Sequence, residues 1–277
     1  WSLIMDSLLF AVIVLYLLSS AGYLAFLFRQ KERFNQAGFY LLLTGFVLHT
    51  IFILYGFSIV GHLPVHNLGE TLSIAGWAIA GLFTLFQVKY NLKILGVYAA
   101  PLSAAPTVAA ALLSTPPAQS DKMLESYWLF FHIVTVFLGD AAFTLACGLG
   151  IIYLVQERTI KNKTHGFFFK RLPSLEFIDS TGYALVVIGF TLLTIGLFTG
   201  FIYAKTVWGK FWSWDPKEVW SGITWMLYAA LLHGRISLGW RGRKAAVMAI
   251  IGFLVLMFTF FGVNFLLKGH HGPFTKI

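Results

Sequence analysis

Apolar residues in this chain come in runs of about 20, the length of a helix that crosses a bilayer, not in the ten-residue alternation of a membrane strand. Eight runs stand out, at 7–28, 38–60, 71–88, 92–113, 127–156, 177–204, 220–238 and 245–267, with polar residues gathered in the short gaps. The pattern predicts an all-α integral membrane protein of about eight transmembrane helices, in a single polytopic domain covering 1–277. Pro101 and Pro106 fall inside the fourth run and predict a kinked or broken helix there. Pro116 and Pro117 mark a loop over 114–126. The first run lacks the basic start and small-residue cleavage site of a signal peptide, and reads as a span.

Composition agrees. The chain is 58% hydrophobic and 11% charged, against roughly 25% charged in a soluble domain. The net charge of +9 would suit a nucleic acid, but its distribution assigns it to orientation instead. Arg29, Lys31, Arg33, Lys89, Lys93, Arg158, Lys161, Lys163, Lys170, Arg171, Arg235, Arg241, Arg243 and Lys244 follow the odd-numbered runs. Only Lys122, Lys205, Lys210, Lys217, Lys268 and Lys276 lie on the other side. The bias places the first set in the cytoplasm and both termini outside. The single cysteine, Cys147, lies in an apolar run and reads as a small core residue, with no disulfide or C-x-x-C pair.

The chemistry-bearing stretch is an outer tryptophan-rich segment, 205–220, that holds W-G-K-F-W-S-W-D-P-K-E-V-W at 208–220. Trp208, Trp212, Trp214 and Trp220 make an aromatic shelf with polar tips, suited to a flat, mostly apolar ligand. A lipid-interface belt is the plainer reading, but a belt spreads over many helix ends. D-P-K-E fits a helix start, with Asp215 as N-cap, Pro216 at N1 and Glu218 at N3. Lys205, Lys210 and Lys217 read either as interfacial charge or as partners for ligand carboxylates.

The orientation also sorts the histidines. His62 and His66 fall in the outer gap after the second run, His132 about one and a half turns into the fifth, and His270 and His271 after the eighth. His165 falls in a cytoplasmic loop. His132 and His271 bracket the tryptophan segment, and two imidazoles from different helices can hold a haem iron from both sides. His49 and His233 lie within spans, where ionisable groups are costly and mark functional candidates. Asp140 is a buried acid eight residues past His132, without an assignable role.

The tryptophan segment, with S-G-I-T-W-M-L-Y-A-A-L-L-H after it, resembles the WWD signature of haem-handling membrane proteins. Within that family it is similar to the CcsA (ResC) type of system II cytochrome c biogenesis. Weaker supporting pieces are G-F-V-L-H-T at 45–50, L-P-V-H-N-L-G-E at 63–70 and G-V-N-F-L-L-K-G-H-H at 262–271. The resemblance implies a membrane complex that moves haem b outward and presents it to apocytochrome c bearing C-x-x-C-H. It implies His132 and His271 as axial ligands of the outer haem, with Trp208, Trp212, Trp214, Trp220 and Asp215 around it. His270 takes the place of the family's Leu and is the alternative to His271. It also implies His233 as a ligand nearer the cytoplasm, completed by a CcsB/ResB-type partner, with His49 on the same route. No side chain reads as an acid–base group or nucleophile, so attachment would rest on positioning. Two other readings stay open: a haem exporter or chaperone without attachment, and a b-type dihaem electron-transfer protein.

Overall fold

The computed structural model describes residues 3–113, 122–163, 166–167 and 169–266, and within them it is built from helices without strands. The eight expected helices are α1 (Leu3–Arg29), α2 (Glu32–Val60), α3 (Leu68–Tyr90), α4 (Gly96–Leu112), α5 (Tyr127–Lys161), α6 (Leu175–Trp208), α7 (Pro216–Ser237) and α8 (Arg243–Met257). A π turn, Phe258–Gly262, and a last helical turn, Val263–Leu266, continue α8. A short 3-10 turn, Lys93–Leu95, leads into α4.

Seven of the described helices are long and apolar enough to cross a membrane. The exception is α7, whose 22 residues include Lys217, Glu218, His233 and Arg235. Its length, about 33 Å at 1.5 Å per residue, still suffices for a span. Of the kink or break expected in the fourth helix, there is no break: α4 runs through Pro101 and Pro106. The Ser103 and Thr107 hydroxyls donate to the Ala99 and Ser103 carbonyls, so these two buried side chains are paired within the helix.

Between membrane helices there is little hydrophobic gain, so close packing of small residues decides which surfaces meet. Gly22 of α1 faces Gly38 of α2 so closely that a Cβ on Gly22 would sit 3.0 Å from the Gly38 Cα. Ser19 reaches across the same seam to the Gly38 carbonyl at 2.7 Å. The centre of the bundle is α5, which touches α3, α4, α6 and α8. Its residues 141–150 are buried without interruption, as expected of a helix surrounded on all sides. Phe143 stacks on Tyr228 of α7 with ring centroids 3.5 Å apart.

Ion pairs gather at one end. Arg235 meets Asp179 at 2.8 Å, Arg243 reaches Glu157 at 3.4 Å, and Lys93 meets Glu32 at 2.8 Å. These join the starts or ends of α2, α4, α5, α6, α7 and α8, so the basic gaps lie together. The α2–α3 link, the start of α5 and the α6–α7 turn meet at the opposite end.

His49 has a structural task in this arrangement. It is fully buried and shares hydrogen bonds with Tyr16 of α1, at 3.3 Å from Nδ1, and Ser73 of α3, at 2.8 Å from Nε2. Replacing it, His49→Leu, would leave both hydroxyls without that partner in the interior. The expected cost is about 1–3 kcal/mol, read as a lower melting temperature in detergent; an unchanged melting temperature would show the two bonds carry no net stability.

Candidate functional site

At the end opposite the ion pairs lies a partly open cavity of about 190 Å³. Its walls come from the α2–α3 link (Val65), α3 (Thr71), α5 (Leu129, His132, Phe137, Asp140), α6 (Leu197, Gly200, Trp208), α7 (Lys217, Thr224) and the π turn (Thr259, Phe260). The lining is mostly apolar with a few polar groups, the composition of a ligand site. Its volume falls below the roughly 300–1,000 Å³ of pockets that enclose a whole drug-sized ligand.

His132 is the cavity's imidazole. Its Nδ1 lies 2.7 Å from the Gly196 carbonyl on α6. A carbonyl only accepts, so Nδ1 is the donor in this bond. The bond fixes the ring by a backbone acceptor, an arrangement also common among metal-ligating histidines. Room for the ring comes from Gly200, where a Cβ would stand 2.7 Å from Nδ1.

The tryptophan segment is distributed over several supports, unlike the single shelf its sequence suggests. Trp208 is the last residue of α6; it lines the cavity and packs edge-on against Tyr203 at 6.0 Å. Trp212 packs against Phe201 at 5.8 Å and Trp214 at 5.7 Å, and its Nε1 is buried without a partner. Trp214 is 78% exposed and holds φ at +60°, an unusual backbone state for a bulky residue. Trp220 faces the π turn, 4.5 Å from Phe258.

The helix start read from D-P-K-E is present. Asp215 caps α7, accepting the Lys217 N–H at 2.9 Å, and Glu218 accepts the Asp215 N–H at 3.3 Å. Glu218 also takes the Ser213 N–H at 2.8 Å and hydroxyl at 2.9 Å. One carboxylate thus ties the turn after Trp212 to the first turn of α7.

Residues 65–271 match the family of cytochrome c assembly proteins. A cytochrome c biogenesis protein CcsA of Prochlorococcus marinus (strain MIT 9215) is 36% identical over 268 residues, covering 88% of this chain and 86% of that protein. CcsA of Welwitschia mirabilis is 36% identical over 239 residues, covering 76% of this chain and 77% of its own. The chain belongs to the cytochrome c assembly protein family, in its CcsA type.

The fold is similar to a solved cytochrome c haem lyase, CcmF, with a TM-score of 0.64 at 16% identity. That match covers 98% of this chain but only 48% of CcmF, so the chain spans about half of that protein's length. The family match begins at Val65, on the cavity wall, and leaves α1, α2 and His49 outside it.

Of the residues expected in the site, the structure brings His132 and Trp208 together at the cavity, with Asp215, Trp212 and Trp220 in the adjoining turn and helix. His49 is elsewhere, between α1, α2 and α3. His233 lies near the ion-paired end of α7 and is exposed. His270 and His271 lie outside the described residues, as does His165. The sequence reading missed the π turn, which lends Thr259 and Phe260 to the wall. No local pattern announces such a turn; Thr259 is held there by Val255 and Thr224, at 2.9 and 3.1 Å.

Glu218→Ala removes the tie between turn and helix. The Ser213 and Asp215 amides are then expected to lose hydrogen-exchange protection, with α7 destabilised by about 1 kcal/mol. Protection equal to the wild type would show that the turn is held by other contacts.

Proposed function

We propose that the chain binds haem b at the outer cavity, with His132 as one axial ligand, and presents it for covalent attachment to apocytochrome c. The observation that carries this reading is the His132 imidazole at an apolar cavity beside Trp208, its Nδ1–H held by the Gly196 carbonyl. Among the described residues, no group of three or more His, Cys, Asp or Glu is placed to hold a bare metal ion. A single imidazole suits a metal that brings its own equatorial ligands, as haem does. Membership of a cytochrome c assembly family supports the choice of ligand and of acceptor.

The second axial ligand is His271, with His270 as the alternative; both follow the π turn whose Phe260 lines the cavity. Trp208 would support the macrocycle face, with Trp212, Trp214 and Trp220 at its margin and Asp215 keeping the turn in place. Attachment adds a cysteine S–H across a haem vinyl C=C: the sulfur bonds to one carbon, the hydrogen to the other. The addition needs reduced iron but consumes no oxidant. The protein's part is to hold reactants in register, a gain from proximity rather than from acid–base side chains. The histidine of C-x-x-C-H then replaces a protein imidazole and releases the product.

The basic gaps face the cytoplasm and the cavity faces outward, in a bacterial cytoplasmic membrane or a thylakoid. His233, exposed near the inner end of α7, would complete a second haem site with a CcsB/ResB-type subunit of a system II synthase. An exporter without attachment activity would use the same cavity. The b-type electron-transfer reading is weaker, because both nitrogens of His49 bond to Tyr16 and Ser73.

The test is the absorption spectrum of the purified protein. The wild type is expected to show reduced low-spin bis-histidine haem, and His132→Ala to lose it; a spectrum indifferent to His132→Ala but lost with His233→Ala would move the haem to the inner end. Attachment to a C-x-x-C-H peptide separates synthase from exporter. Gly200→Ala, which crowds the His132 ring, is expected to weaken haem binding about tenfold or more, equivalent to about 1.4 kcal/mol. Helix content should stay at the wild-type level by circular dichroism.

A further inference from the structure

Two side chains in the outer cavity have no part in the binding just described. Asp140 lies eight residues beyond His132 on α5, about 12 Å further along the axis, and lines the same cavity. Its Oδ1 is enclosed and has no hydrogen-bond partner. Lys217 lines the cavity from the first turn of α7. Its backbone N–H bonds to Asp215, while its Nζ forms no ion pair within 4 Å among the described residues. Glu218, the other charged wall residue, is occupied by Ser213 and Asp215.

A buried carboxyl oxygen without a partner is costly, and native proteins keep few of them. The Lys217 charge acts on Asp140 across the cavity but, beyond pairing distance, supplies no hydrogen bond to that oxygen. Both groups are satisfied together by a ligand edge that carries carboxyl groups. An ammonium pairs with one carboxylate. A second ligand carboxyl beside Asp140 shares a proton with it, as close carboxyl pairs do.

Resting on the reading of His132 as a haem ligand, we infer that Lys217 and Asp140 receive the propionate edge of the tetrapyrrole and so set its orientation. The cavity is too small for the whole macrocycle, so one edge enters and the opposite edge stays at the mouth. In haem the edge away from the propionates carries vinyl groups. The polar pair at depth therefore turns reactive vinyls toward the outer surface, where an apocytochrome thiol arrives. The two residues act as positioning and specificity groups; neither touches the bond being made.

The experiment compares haem with its dimethyl ester, which has the same iron, ring and vinyls but no free carboxyls. Both are titrated, reduced, into the purified haem-free protein and read as the low-spin spectrum. The wild type is expected to prefer haem about tenfold or more, the worth of one charge-assisted hydrogen bond. Lys217→Met and Asp140→Leu should each shrink that preference, and Lys217→Arg should keep it. A His132-dependent low-spin spectrum with the ester shows that a variant is folded and its iron site intact. Equal binding of haem and ester to the wild type, or a preference undiminished in both variants, overturns the inference and leaves the haem site standing. Absence of any His132-dependent spectrum in the wild type overturns the haem site itself, and this inference falls with it.

Discussion

The site depends on how closely α5 and α6 approach. A Cβ on Gly139 of α5 would stand 3.2 Å from the Gly189 carbonyl and press on the α6 backbone, so the seam is close-packed. This proximity lets a backbone carbonyl of α6, already bonded within its own helix, accept a further hydrogen bond from an α5 side chain. The Gly196 carbonyl does so for His132. Any residue that widened the seam would separate the imidazole from its acceptor and release both tautomer and ring orientation. The same seam puts Trp208, at the end of α6, on the wall that His132 occupies near the start of α5. Helix packing, tautomer choice and pocket shape are thus one constraint seen at three scales.

The other walls depend on shorter-range devices. Asp215 and Glu218 stop the chain from wandering between α6 and α7, and bring Lys217 to the cavity as a by-product of starting a helix. The Thr224–Thr259 contact, 3.1 Å between hydroxyls, joins α7 to the π turn. At the far end, Asp179 accepts from Arg235 and from the Gly242 N–H, both at 2.8 Å, and fixes α6 against α7 and α8. Each end of the bundle is therefore clamped by a carboxylate near the membrane surface, which leaves the middle to small residues and aromatic stacking.

Run length and charge told most of the fold in advance, because a bilayer imposes both on any chain that crosses it. The ends of helices were less legible. Lipid selects for apolar residues only within its own thickness, so polar continuations such as 157–161 of α5 carry no hydropathy signal. The N-cap of α7 was readable because the capping box is a local motif. The tryptophans were not, because spacing along a chain does not reveal that Trp208 ends a helix while Trp214 turns into solvent at φ +60°. His49 reads as a functional candidate by its rarity and by the resemblance; only the neighbouring Tyr16 and Ser73, far away in sequence, show what it holds. Asp140 stood out as a lone acid, but its meaning required the cavity.

The π turn at Phe258–Gly262 has a geometric consequence for everything after it. A π turn accommodates one residue more than an α turn over the same rise. In a regular helix each residue advances the direction of the chain by about 100°, from 3.6 residues per turn. Deleting one residue here would restore a regular helix and rotate the following segment by roughly that angle. The turn is thus a phase setting, and the heading of the last described turn, Val263–Leu266, is encoded in one extra residue rather than in the identity of any side chain.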